Sequence, residues 1–177
     1  MRNRIRTMYL NVRAALAALA TVVFVVGAFL TPAAAAAVEK GEYCAVILSK
    51  ERDANGVSKV LSKECSTVSA ADAHRKAGVE GGVSIAADTK LASLYRHQDY
   101  GDLMVDLYGQ YGPCDHEGYT FILDGEYAYA LSSVIGHNSC TWSKLTSEGG
   151  YYEYHALPVR NIGALNDNTK VIHLWRG

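Results

Sequence analysis

A chain of 177 residues with 17 basic and 18 acidic side chains is near neutral as a whole, but its charges are unevenly placed. Arg2, Arg4, Arg6 and Arg13 all lie in the first 37 residues, which hold no acid, so thirteen basic side chains face 18 acidic ones in the remainder and its net charge is −5. That balance, with no basic run after residue 37, excludes nucleic acid as a partner, because such binding needs clustered Lys and Arg to displace counterions.

The arginines precede an apolar stretch over residues 14–30, then Thr31, Pro32 and an alanine run ending at Ala37. This is the layout of an export signal. A stretch of about 17 apolar residues is also long enough for an uncleaved anchor, but the small residues after Pro32 suit cleavage better. Residues 1–37 are therefore read as a signal peptide, and the mature chain as secreted, extracellular and without a membrane anchor. What remains is the size of one domain with one core, expected to be a monomer.

All four cysteines, Cys44, Cys65, Cys114 and Cys140, follow the leader. An even count in a small exported domain predicts two disulfides, with three pairings possible. Residues 38–66 hold two β-rich runs on either side of Asn55-Gly56, a strong hairpin signal that brings Cys44 near Cys65 and leaves Cys114 for Cys140. Zinc is excluded by spacing, since no two cysteines lie two to four apart.

Residues 67–89 read as a connector. Within them Ser69, with Asp72 three positions on, predicts the cap of a short helix running to Arg75 or Lys76 and stopped by Gly78. Composition then shifts: ten of the 12 tyrosines lie from Tyr95 to Tyr154 and none between Cys44 and Leu94. Short strands bounded by Gly, Asp, Asn or Pro are predicted near 90–96, 102–108, 119–123, 131–137, 141–146, 150–155 and 170–175, which makes residues 90–177 an all-β sandwich or barrel.

Tyr95 and Tyr100, five apart and followed by Gly101 and Asp102, let a strand end, fold over its own tyrosine and return to the sheet. With that LYRHQDYGD segment, the following GPCDHEGY and LSSV resemble the first Greek-key motif of secreted bacterial βγ-crystallin-like proteins, a group that includes small metalloproteinase inhibitors. A weaker echo runs over 140–177. The resemblance implies a double Greek-key sandwich of motif one (90–139) and motif two (140–177), each covering the apolar side of the other. The disulfide hairpin is additional to it and is expected to cover a sheet edge or to form a separate contact surface.

In that family calcium is held by [Asn/Asp]-[Asn/Asp]-x-x-[Ser/Thr]-Ser, one copy per motif, which suits a hard cation needing six to eight oxygens. Here the first copy, Ala128 to Ser133, keeps the hydroxyls and has no leading pair. The second, Asn166 to Val171, keeps the leading pair and has Lys170 where a hydroxyl belongs. The resemblance implies at most one weak Ca²⁺, on Ser132 and the Asn168 carbonyl with loop support from Asn166 and Asp167, and no required cofactor. The competing reading makes the same residues ordinary turn and strand-end groups.

No enzymatic signature is present. GxSxG and HExxH are absent and the six histidines are scattered singly. Cys114-Asp115-His116-Glu117 gathers reactive types, but an oxidised cysteine is no nucleophile, and the carboxylates between Asp99 and Glu126 single out no facing pair. Two binding functions follow. One is inhibition of a secreted proteinase through a braced loop over 109–118, with Tyr111, Pro113, Asp115 and His116 as contact residues, or through 156–161. The other is a structural or cell-wall glycan-binding module, suggested by tyrosines 108, 111, 119, 127, 129, 151, 152 and 154. Trp142 and Trp175 are read as core residues.

Overall fold

Residues 44–48, Cys-Ala-Val-Ile-Leu, form an unbroken apolar run in the middle of strand β1 (Tyr43–Arg52), and all five are buried. A strand that is apolar at every position has both faces covered. Cys44, Val46 and Leu48 point into the main core, while Ala45 and Ile47 meet a helix on the opposite side. The computed structural model that shows this describes residues 41–80, 82 and 89–177. The expected signal peptide lies outside the described residues, as does most of the end of the connector.

β1 turns back into β2 (Ser58–Ser66) in antiparallel register, with Cys44 opposite Cys65 and the two joined as a disulfide. The turn is held by Asp53, whose Oδ1 accepts the N–H groups of Asn55 at 2.8 Å and Val57 at 2.9 Å. Gly56 supplies the left-handed residue, at φ +77°. Helix α1 (Ala70–Glu80) follows, with Ser69 Oγ accepting the Asp72 N–H at 3.1 Å as an N-cap. The helix does not stop at Gly78. Gly78 is buried beside Ala73 and Ala77, and packing of this small-residue face overrides glycine's poor helix propensity. Ala73 and Ala77 pack on Ala45, Ile47 and Tyr108, and the His74 ring lies parallel to Tyr108 at 3.8 Å.

The remaining strands are β3 (Thr89–Tyr95), β4 (Leu103–Gly109), β5 (Tyr119–Ile122), β6 (Ser133–Gly136), β7 (Trp142–Thr146), β8 (Tyr152–Ala156) and β9 (Val171–Trp175). They form two sheets, one of order β2-β1-β4-β3-β6 and one of order β5-β9-β7-β8. β1 pairs with β4 in parallel, so the hairpin is not an appendage: it extends the first sheet from the β4 edge and fills part of the core. Cys114 and Cys140 form the second disulfide.

The two halves exchange elements. β3, β4 and β6 of the first half share the first sheet, but β5 crosses over and pairs with β9 of the second half. Reciprocally, Val159 of the second half forms an isolated bridge with Val134 on β6. Leu91, Leu94, Leu107, Tyr119, Leu123, Leu131, Leu145, Leu165 and Ile172 fill the space between the sheets.

Between β3 and β4 the chain folds over itself, with Asp99, Tyr100 and Asp102 in left-handed backbone conformations and the rings of Tyr95 and Tyr100 5.8 Å apart. Ser133 secures this fold: its Oγ donates to the His97 carbonyl at 2.6 Å and accepts the Tyr100 N–H at 3.1 Å. Ser132 Oγ donates to the Arg96 carbonyl at 2.6 Å. The turn between β7 and β8 is a plain tight turn closed by Ser147 N–H to the Tyr151 carbonyl, with Gly150 at φ +83°.

Candidate functional site

The outward face of the second sheet carries the most concentrated surface chemistry. Alternation along the strands sends Ser143 and Leu145 inward from β7, and Ile172 and Leu174 inward from β9. Trp142, Lys144 and Thr146 therefore face out, beside Val171, His173 and Trp175. β8 adds Tyr152 and Tyr154, which oppose Thr146 and Lys144. Trp142 and Trp175 are direct cross-strand partners with ring centroids 6.4 Å apart and planes 25° from parallel. Tyr154 meets Trp175 edge-on at 6.1 Å and Tyr152 at 5.6 Å, and His173 stacks on Trp175 at 5.2 Å. The Lys144 ammonium lies 4.2 Å from the centre of the Tyr152 ring. Burial, with Arg52 and Lys144 nearby, pushes the His173 pKa down. Trp142 is 37% exposed, Tyr152 50% and Tyr154 56%, so both tryptophans belong to this surface and not to the core.

A second feature is an open cleft of about 610 Å³ at the junction of the halves, lined by Arg96, His97, Gln98, Tyr129, Ala130, Ser132, Asn166 and Asp167. It brings Ser132 beside Asn166 and Asp167, and Asn168 is not among its lining residues. Asn166 Nδ2 donates to Asp167 Oδ2 at 2.6 Å, while the buried Asn166 Oδ1 has no hydrogen-bond partner. An amide oxygen, a carboxylate and a hydroxyl are the donor types a hard cation takes, so the residues fit an oxygen site with few protein ligands. Arg96 also lines the cleft, its guanidinium paired with Asp102 and Glu126. Lys170 lies elsewhere and lowers the pKa of Asp124, whose main partner is Lys63. Among the described residues Glu42, Cys44 and Cys65 are also close enough to hold an ion. Their sulfurs are tied up in the disulfide, so no thiolate is there to bind one.

The 109–118 loop is fixed at several points. Tyr119 Oη donates to the Gly112 carbonyl at 2.9 Å, Cys114 N–H to the Asn138 carbonyl at 3.2 Å and Arg176 N–H to the Asp115 carbonyl at 2.8 Å. The Asp115 carboxylate binds Lys50 and accepts the Gly118 N–H, and the Lys50 ammonium holds its pKa down at about 2. Tyr111, Pro113 and His116 stay exposed, whereas Asp115 is committed within the molecule. The 156–161 segment is tied in: Leu157 N–H donates to Thr141, Val159 bridges Val134, and the Arg160 carbonyl accepts the Asp99 N–H.

No family model, curated protein or solved structure matches this chain. The physical arrangement therefore carries the functional reading alone. Among the described residues no helix is long and apolar enough to cross a membrane.

The tyrosines divide sharply. Tyr108, Tyr119 and Tyr127 are core residues, with burial raising the Tyr119 pKa to about 12, while Tyr111, Tyr129, Tyr151, Tyr152 and Tyr154 are exposed. One cluster had no sequence signal. Ser93 Oγ donates to Asp106 Oδ1 at 2.6 Å and lies 3.1 Å from His137 Nε2, with Lys90 Nζ 2.8 Å from the other Asp106 oxygen. The hydroxyl's one proton is committed to Asp106, so His137 donates to Ser93. That order is the reverse of the relay in which a histidine takes the proton of a serine nucleophile. Ser93 and Asp106 are 1% and 2% exposed, and the group is a buried polar network of the first sheet.

Proposed function

We propose that this chain is an extracellular, non-enzymatic binding module of the βγ-crystallin-like kind, and that its ligand surface is the outward aromatic face of the second sheet. The observation that carries the reading is the solvent-facing Trp142–Trp175 pair, continued by Tyr154 and Tyr152. Indoles and tyrosines set side by side on an outward face make a contiguous apolar patch, and such patches mark contact sites. Flat rings side by side on a sheet suit the apolar faces of sugar rings, and the tyrosine hydroxyls tolerate water, so glycan is the ligand class. Two disulfides suit an oxidising compartment. The exchange of β5 and the Val159 segment supports the double Greek-key ancestry, and the inverted Ser93 cluster supports the non-enzymatic reading. Sedimentation with insoluble peptidoglycan, chitin and cellulose tests the proposal: the protein is expected in the pellet with at least one, and Trp142→Ala with Trp175→Ala in the supernatant. Retention of the wild type in every supernatant removes the reading.

The fixed 109–118 loop favours a second reading, inhibition of a secreted proteinase through Tyr111, Pro113 and His116, since a preordered loop lowers the cost of docking. Assays against secreted metalloproteinases and serine proteinases decide it, and inactivity against both removes it. Independently of either, the cleft of Ser132, Asn166 and Asp167 is proposed to hold one Ca²⁺ with Kd of roughly 10⁻⁴–10⁻³ M. Calorimetry and melting at millimolar Ca²⁺ are expected to register it in the wild type and not in Asp167→Ala. Neither heat nor a melting shift in the wild type sinks the site.

A further inference from the structure

The outward rows of the second sheet run Trp175, Trp142, Ala156; then Thr120, His173, Lys144, Tyr154; then Ile122, Val171, Thr146, Tyr152. None of these positions is a carboxylate. Lys144 has its ammonium above Tyr152 and 6.0 Å from the Tyr154 ring, with no acid in ion-pair distance among the described residues. Arg52 is held by the carbonyls of Glu117 and Gly118 rather than by an acid, and its charge reaches His173. The chain beyond its leader carries −5, so this face is a local reversal of sign on an acidic molecule. An anionic ligand is repelled by most of the surface and attracted here.

We infer, resting on the glycan reading above, that the ligand is an acidic polysaccharide, with a sugar ring on the Trp142–Trp175 pair and a sugar carboxylate on Lys144. Lys144 is two residues along β7 from Trp142, about 7 Å at the usual strand rise, which is the reach from one sugar to a substituent of itself or its neighbour. The ammonium is partly desolvated by its two tyrosines, and a charge-assisted hydrogen bond to a carboxylate is stronger there than in open water. Neutral glycan stacks on the same rings but leaves the lysine without an anion. The lysine is thus the residue that discriminates.

Affinity electrophoresis of the purified protein in native gels containing polygalacturonate, alginate or neutral hydroxyethyl cellulose tests this at fixed ionic strength, with polyuridylate as a polyanion lacking acidic sugars. The acidic polysaccharides are expected to retard the protein at about tenfold lower concentration than the neutral one. Lys144→Gln is expected to abolish that preference while retaining retardation by the neutral polymer, and Lys144→Arg to keep it. Lys144 is at the surface, so a melting curve unchanged in Lys144→Gln separates recognition from folding. Equal retardation by acidic and neutral polymers, or a preference that survives Lys144→Gln, overturns the acidic-ligand inference and leaves the glycan reading standing. Retardation by polyuridylate alone, or by no polymer, overturns the acidic-ligand inference, and sedimentation with peptidoglycan, chitin and cellulose then decides the glycan reading by itself.

Discussion

Ser133 and Tyr100, 33 positions apart, are joined by a hydrogen bond from the Tyr100 N–H to the Ser133 hydroxyl at 3.1 Å, while the same hydroxyl donates to His97. One completely buried side chain thereby satisfies two backbone groups of a turn whose tyrosine has φ +64°. Ser132, its neighbour, holds only the Arg96 carbonyl.

Ser133→Ala is therefore expected to destabilise the fold by about 1–3 kcal/mol, because it removes the partner of two part-buried backbone groups at once. Ser132→Ala is expected to lose about 1 kcal/mol. Urea denaturation with a common m-value measures both, and equal losses would contradict the asymmetry.

Asp115 has its pKa held at about 2 by Lys50, below the unfolded carboxylate value. A depressed acid stabilises the folded state above the unfolded pKa, and that contribution disappears as pH falls through the folded pKa. Melting temperature is expected to fall between about pH 4 and pH 2. Both groups are partly exposed, so the effect is modest. Lys50→Met is expected to shrink that fall, because it brings the folded pKa of Asp115 back toward the unfolded value, and an unchanged titration in the variant would remove Asp115 as a cause.

The cysteine pairs are 21 and 26 positions apart, and each bridge is expected to contribute roughly 3 kcal/mol by restricting the unfolded chain. Cys114→Ser with Cys140→Ser additionally frees the 109–118 loop. Limited proteolysis is expected to cut that loop in the double variant before any other site, whereas the wild type resists there.

Gly118 has φ +62°, and a Cβ at this position would sit 1.8 Å from the Leu174 carbonyl oxygen. Gly118→Ala is expected to cost about 3 kcal/mol or more, combining backbone strain with a clash against backbone. Gly56, at φ +77° with open space around it, is expected to lose about 1–2 kcal/mol on the same change. Thermal melts of the two variants compare them directly.

The strand positions of residues 90–177 were legible because turn residues bound each one locally, and the Asn55-Gly56 hairpin placed Cys44 opposite Cys65 for the same reason. Trp142 and Trp175 were misread by residue type, although Lys144 and His173 fix their parity as outward. The role of β1 was written in the uninterrupted Cys-Ala-Val-Ile-Leu run, which requires cover on both sides. Other features had no local trace. The crossing of β5 to β9, the parallel pairing of β1 with β4 and the meeting of Ser93 with His137 depend on partners far along the chain. Ser132, Asn166 and Asp167 were grouped only through the family resemblance, which also named the Asn168 carbonyl; the backbone path brings the first three to one cleft, and Asn168 is not among its lining residues.

Because β5 and the Val159 segment each lodge in the sheet built mainly by the opposite half, neither half has a complete surface of its own to keep. Two halves locked in this way are free to differ in detail as long as the seams still match. One holds an elaborate serine-clasped corner while the other closes on a bare turn and carries a wall of outward aromatic rings.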